Sequence, residues 1–310
     1  MGITHVIRGD DHLSNTPKQR LLARALGLTP PQFAHLPLIL GPDRSRLSKR
    51  HGATAIAEYR RAGYLADALV NFIALLGWSP GNDQELLTRA ALVAAFDLPR
   101  VGRTGAIFNL EKLNWMNGEY LKRLPPELIV GLWMPLLAEQ REWPAAGASG
   151  SPTTALGPAA GASGSPTTAL WPAGVTRETL EPVLRLFHGR VHSLNDFVVQ
   201  AGSFFTPEVT MDPAAAAQRL AGPGVAERLQ QFADRLQRVE PWEHPAIETC
   251  CRQLAHELGL KAAEIIHPTR VAVTGRSVGP SLFHALAVIG QATTLRRLRQ
   301  PARLGAAPPS

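Results

Sequence analysis

The chain has 310 residues, 45% of them hydrophobic, which suits about two domains with real cores and excludes wholesale disorder. Lys and Arg number 32 against 25 Asp and Glu, a net charge of +7. That balance points either to polyanionic partners, nucleic acid first, or to nothing more than solubility.

The two cysteines, Cys250 and Cys251, are adjacent. This excludes a disulfide framework and a thiol-only zinc cage, and it fits a reducing cytoplasm. No run reaches the roughly 18 apolar residues of a bilayer span, and the first residues do not read as a secretory leader.

The first elements are short. "THVIRG" (4–9) and "LPLILG" (36–41) are apolar runs closed by glycine, the pattern of buried strands. Between them "SNTPKQRLLARALG" offers Thr16 as N-cap, Pro17 at the first helical position and Gly27 as terminator. The three make one strand–helix–strand unit, too little sheet for a stable domain. The two strands are therefore expected to expose an edge.

From residue 54 onward the text is helical. Leu65, Ala68, Leu69, Phe72, Ile73 and Leu76 form one amphipathic stripe ending at Gly77. Helical text continues at 87–96, at 110–124 and at 127–139. "PAAGASGSPTTAL" then occurs at 144 and again at 158, a period of 14. Its composition cannot bury enough apolar surface to fold, so 144–174 reads as a flexible insertion. Further stripes follow: Val225, Leu229, Phe232, Leu236 and Val239, then Ile247, Cys250, Cys251, Leu254, Ala255 and Leu258. Both cysteines thus read as small core residues. A buried helix is expected at 280–290 and a basic tail at 295–303.

Two stretches could carry chemistry. In "VIRGDDHLSNTPKQ" (6–19), Arg8 follows a strand, at the carboxyl end where parallel sheets place ligands. Its guanidinium can hold a carboxylate bidentately, while Asp10, Asp11 and His12 open the next loop. The same residues could instead cap a turn, with Arg8 paired to one of the aspartates. In "DRSRLSKRHG" (43–52), Arg44, Arg46, Lys49 and Arg50 surround Ser48. Such a loop can neutralise charge on phosphate oxygens during displacement, or can be an ordinary solvated loop. It is not a Walker-type phosphate loop.

Taken together, "ITHVIRGDDHLSNTPKQ" and "FAHLPLILGPDRSRLSKRHGA" resemble bacterial glutamyl-tRNA synthetases, which are class I aminoacyl-tRNA synthetases. "RLSKR" matches that family's lysine signature, usually written KMSKS, with Arg46 in place of the usual first lysine. The resemblance continues through "YLADALVNFIALLGWSPG", "AIFNLEKLNWMNGEYL" and "RVAVTGRSVGPSLFHALAVIG". It implies a glutamate–tRNA ligase that joins glutamate to tRNA through a glutamyl-adenylate, with ATP and Mg²⁺. By position, Arg8 would bind glutamate, and Asp11 and His12 would line the adenosine side. Arg46, Leu47, Ser48, Lys49 and Arg50 would hold the ATP phosphates, with Lys49 stabilising the departing pyrophosphate. Arg270, Arg276, Arg296 and Arg297 are candidates by charge for tRNA contact.

The implied fold is mainly α: the C-terminal part of a Rossmann-like α/β catalytic domain (1–53), a helical stem-contact domain (54–124) and a helical anticodon-binding domain (125–304). A cytoplasmic monomer with tRNA(Glu), glutamate and ATP as partners, and no membrane, is implied as well. The family's second signature, His-x-Gly-His, does not occur in the 310 residues. The resemblance therefore implies the C-terminal portion of a longer enzyme, inactive alone. Two alternatives are a non-catalytic tRNA-binding module and a chain completed in trans by a separate N-terminal half.

Overall fold

The computed structural model of the chain describes residues 2–48, 55–139 and 175–300. They divide into two compact units, the first Met1–Tyr120 and the second beginning at Leu121. The repeat at 144–174, and with it the expectation of a flexible insertion, lies outside the described residues.

The first unit opens with β1 (His5–Gly9), a 3-10 helix (Asp10–Asn15), α1 (Thr16–Ala25) and β2 (Gln32–Leu36). β1 and β2 pair in parallel, with Val6 opposite Phe33 and Arg8 opposite His35. The helical start is as the sequence suggests, with Pro17 in the first turn, although Asn15 rather than Thr16 is the cap residue. Its end follows from Gly27, which takes a left-handed φ of 70°. Leu28 N–H then donates to Ala23 O and Gly27 N–H to Arg24 O, satisfying the last carbonyls.

The strand expected at 36–41 is not there as such. The partner of β1 is β2, and only β3 (Ile39–Leu40) remains of the expected run. Proline explains the break: Pro37 has no N–H to donate, so the β1–β2 ladder stops at Leu36. β3 belongs to a second parallel pair with β4 (Ala106–Ile107). The approach there is close, since a Cβ on Gly105 would sit 2.9 Å from Leu40 Cδ1. The sheets are thus two separate pairs, and the open edges expected of the strands are present among the described residues.

The rest of the first unit is helical: α2 (Ile56–Arg61), α3 (Ala66–Ala74), α4 (Arg89–Ala95) and α5 (Leu110–Lys122). Its core gathers Tyr59, Ala62, Tyr64, Leu69, Phe72, Leu113 and Met116. Buried Asn71 fixes the approach of the following loop, its Oδ1 accepting from Leu87 N–H at 2.8 Å and from Tyr120 O–H at 2.9 Å.

The second unit, among the described residues, is all helix: α6 (Pro126–Glu139), α7 (Arg177–Phe187), α8 (Leu194–Ala201), α9 (Pro213–Arg219), α10 (Val225–Leu236), α11 (His244–Glu257), α12 (Ala263–Thr274), α13 (Leu282–Ile289) and α14 (Gln291–Leu298). Trp133, Phe187 and Phe197 fill one part of its interior, with Trp133 and Phe197 rings 5.6 Å apart. The stripes of α10 and α11 meet α12 and α13 in a second cluster containing Phe232, Ile247, Cys251, Val271 and Leu286. The expected basic tail is corrected here. Leu295 and Leu298, three apart on α14, pack on that cluster, so residues 291–298 are a docked helix. No helix of the described residues is long and apolar enough to cross a membrane.

Candidate functional site

Strand pairing sets the position of Arg8. Because Arg8 lies opposite His35 in the register, both side chains leave the same face, together with Phe33 two residues earlier. Arg8 Nη2 donates to Thr16 Oγ1 at 2.9 Å and Nε lies 3.4 Å from His35 Nε2. Thr16 Oγ1 and His35 Nε2 are 3.0 Å apart, closing a triangle. The guanidinium also lies over the Phe33 ring, 5.2 Å from its centroid. The edge carrying Nε and Nη2 is thus committed, while Nη1 has no acceptor among the described residues and can donate to a ligand. Arg8 pairs with neither aspartate beside it. His35, Thr16 and Phe33 escaped sequence reasoning because their role depends on the β1–β2 register; the alternation Phe33-x-His35 on one strand face was the available signal.

The second stretch is a tight hairpin as far as Ser48. Gly41 N–H donates to Ser45 O at 2.8 Å, Arg44 N–H to Gly41 O, and Leu47 N–H to Ile39 O. The Asp43 carboxylate accepts from Ser45 N–H at 2.9 Å and from its hydroxyl at 2.8 Å, an Asx-type turn. Arg44 takes a left-handed φ of 61° to close it. Arg46, bridged to Leu40, then points back toward the first stretch. Its Nη1 lies 3.2 Å from Asp11 Oδ2. Gly9 leaves room for that carboxylate, since a Cβ there would fall 2.5 Å from Asp11 Oδ1. His12 and Asn15 side chains meet nearby at 3.3 Å.

Arg8, Asp11, His12 and Arg46 therefore gather at the carboxyl end of β1, with Leu47 and Ser48 following Arg46. The Asp11–Arg46 pair is partly solvated and is worth about 1 kcal/mol or less, so a polyphosphate could displace it. Lys49 and Arg50 lie outside the described residues. Among the described residues no cluster of three His, Cys, Asp or Glu could hold a metal ion.

The four arginines of the second unit differ in availability. Arg297 is 5% exposed and spends its guanidinium on the carbonyls of Val273, Ser203 and Thr206, each at 2.7 Å. Arg270 donates to Pro280 O at 2.5 Å. Burial first, and then the Arg190 guanidinium, lower its pKa. Arg296 is exposed and donates to Pro207 O at 3.0 Å. Arg276 is half-buried.

Residues 1–115 match the family model described as tRNA synthetases class I (E and Q), catalytic domain. Residues 157–301 match the model described as anticodon binding domain. A glutamate–tRNA ligase from Desulforudis audaxviator is 39% identical over 300 residues, covering 96% of this chain and 55% of that protein. One from Syntrophobacter fumaroxidans is 40% identical over 303 residues, covering 98% and 58%. The crystal structure of a glutamate tRNA ligase from Elizabethkingia meningosepticum, in complex with its amino acid, superposes with a TM-score of 0.71 at 27% identity, covering 97% of this chain and 57% of that one. The chain thus spans a little over half the length of the curated relatives it matches. With a catalytic-domain match over 1–115, an anticodon-domain match over 157–301 and glutamate–tRNA ligases similar along 96–98% of its length, the chain belongs to the glutamyl-tRNA synthetase family of class I aminoacyl-tRNA synthetases.

Proposed function

We propose that the chain contributes to a glutamate–tRNA ligase the glutamate-binding arginine, one side of the ATP-phosphate clamp and the surfaces that read tRNA(Glu). The observation that carries this reading is the meeting of Asp11 and Arg46 just past the end of β1, the strand that carries Arg8, within the segment that matches the synthetase catalytic domain. Arg8 Nη1 would hold a glutamate carboxylate. Asp11 and His12 would face the adenosine. Arg46, Leu47, Ser48, Lys49 and Arg50 would line the phosphates. The reaction is displacement: a glutamate carboxylate oxygen bonds the α-phosphorus while the bond to pyrophosphate breaks, and Lys49 stabilises the charge on that leaving group. The tRNA terminal ribose hydroxyl then attacks the acyl carbon, releasing AMP. Mg²⁺ would arrive on the ATP phosphates, since the described residues provide no cage for it.

In this reading 1–53 belongs to the catalytic domain, 54–124 contacts the tRNA stem and 125–304 is the anticodon-binding domain. Arg276 and Arg296 are the more available candidates for tRNA contact, Arg270 is engaged with Pro280 O, and Arg297 would act through the fold. The setting is a cytoplasmic monomer.

A second reading, a tRNA-binding module without catalysis, draws on one observation: His-x-Gly-His does not occur in the sequence. Both readings require specific tRNA binding. The 310-residue chain is expected to bind tRNA(Glu) more tightly than unrelated tRNA, with affinity falling steeply as salt rises. Equal affinity for both tRNAs, or no salt slope, sinks both readings. Glutamate-dependent ATP–pyrophosphate exchange separates them when the chain is joined to the part of a curated relative that the match leaves out: the first reading expects exchange and the second none. The chain alone is expected to show none, because half a phosphate clamp loses most of the positioning.

A further inference from the structure

The two parallel pairs of the first unit share no strand. β1–β2 carries Arg8. β3–β4 carries no candidate site residue, yet the hairpin that presents Arg46 is built on it. Leu47 N–H donates to Ile39 O at 2.9 Å, and Arg46 bridges Leu40 in the antiparallel sense. On its other edge β3 is held by β4: Leu38 O accepts from Ala106 N–H at 3.2 Å, and Leu40 O from Phe108 N–H at 2.8 Å. Ile39–Leu40 is thus the middle of three extended segments, and a strand of two residues is too short to set its own register. Whatever fixes β4 therefore fixes the hairpin, and with it the Arg46 guanidinium 3.2 Å from Asp11. β4 is fixed from the helical core. The Phe108 ring lies 5.0 Å from Phe72, edge-on, and 5.9 Å from Tyr59. Both partners are buried, at 2% and 5% exposed. Asn109 then caps α5, its Oδ1 accepting from Lys112 N–H at 3.0 Å. At the other end Gly105 lets the strands close. A Cβ there would sit 2.9 Å from Leu40 Cδ1 and 3.1 Å from Leu38 O, a backbone atom that cannot turn aside.

We propose that Phe108 and Gly105 are positioning residues for the phosphate-side hairpin. Neither touches ATP. Each acts through β4 on the backbone of Leu38–Leu40, and so on where Arg46 presents its charge. The stabilisation of a phosphate by a fixed cation depends on placement to about 0.5 Å, so a small displacement of β3 reaches the chemistry. The glutamate side is insulated from it, because Arg8 is held by β2, Thr16 and His35 on the other pair.

The inference rests on the reading of this hairpin as one side of the phosphate clamp, and its test has two readouts. The first uses the 310-residue chain and follows hydrogen exchange at the Leu47 amide, with the amides of α10 as reference. Phe108→Ala and Gly105→Val should each speed exchange at Leu47 about tenfold or more. Phe108→Tyr, which keeps the ring, should restore the parent rate. Gly105→Val removes no core side chain, so it separates a displaced β4 from a weakened core. The second readout is glutamate-dependent ATP–pyrophosphate exchange by the chain joined to the part of a curated relative that the match leaves out. There Phe108→Ala and Gly105→Val should lower kcat about tenfold or more and leave KM for glutamate within about twofold. Exchange at Leu47 indifferent to either substitution, or KM for glutamate rising in step with each fall in kcat, would overturn the proposal. A hairpin that loosens as expected, in a chain whose unsubstituted joined form shows no ATP–pyrophosphate exchange, would instead count against the proposed function alone.

Discussion

The Arg297 guanidinium ties three parts of the second unit together through the carbonyls of Val273 on α12, Ser203 and Thr206. Burial lowers its pKa to about 10, with the neighbouring Arg296 adding to the shift. Removing the fork leaves three carbonyls short of a donor. Arg297→Met is therefore expected to cost about 3 kcal/mol in urea unfolding, with Arg297→Lys recovering only part, because an ammonium cannot span the three acceptors. If Arg297→Met instead left stability unchanged but abolished tRNA binding, the residue would be a ligand contact and not an anchor. The paired thiols make a second case. Burial raises the Cys251 thiol from its ordinary 9.0 to about 12, with Cys250 adding to it, and burial raises Cys250 in the same direction. Between about pH 9 and 12 the unfolded chain has released a proton that the folded chain keeps, so stability is full below that window and declines as pH rises through it. Cys251→Val should flatten that decline in thermal melts. A thiol reagent at about pH 8 should label the cysteines only in denaturant.

The turn after α12 shows where an element depends on a single residue. Gly275 takes a φ of 77°, and a Cβ there would sit 2.2 Å from Thr210 O. Its own carbonyl accepts from Asp212 N–H at 2.9 Å, so the two backbones are in contact. Gly259 takes a similar φ of 65° with nothing within 4 Å. Gly259→Ala should cost only the left-handed strain, about 1–3 kcal/mol. Gly275→Ala should cost measurably more, and equal losses in urea titrations would refute the close approach. The helices were legible because their information is local. Leu229, Phe232 and Leu236 are all buried on α10, and Pro17 and Gly27 bracket α1. β2 was not legible, because "LPLIL" is more strand-like in composition than "QFAHL", and only Pro37 and the pairing with β1 decide between them. The site divided the same way. Arg8, Asp11 and Arg46 could be named from residue chemistry. The His35–Thr16 triangle around Arg8 could not, since it exists only once Arg8 and His35 fall opposite each other. The docking of α14 was missed because the run 295–303 holds four arginines and two leucines, and only the packing shows that Leu295 and Leu298 face the core.

At the scale of the whole chain, burial is unevenly spread, and this sets an order of local stability. Among residues 2–48 only Gly41 is buried, and the strands there form a two-stranded sheet, an arrangement that is marginal in water by itself. α10, α11, α12 and α13 instead enclose a continuous cluster from Leu229 to Leu286. Local opening free energies follow such differences, from near zero where few apolar contacts hold a segment to the global value in a core. Amides of β1 and β2 should therefore exchange with solvent at least about a hundredfold faster, relative to their intrinsic rates, than those of α10 and α12 in the isolated chain. Hydrogen exchange read residue by residue measures this directly. Equal protection in both regions would mean that the Arg8–His35–Thr16 triangle and the β3–β4 pair hold the first 48 residues as firmly as a full core does. The residues proposed to face ATP would then be rigid before any ligand arrives. The steep gradient expected from burial implies the opposite: among the described residues Arg8, Asp11 and Arg46 sit on the least stable part, and their side-chain geometry is loosely held in the isolated chain.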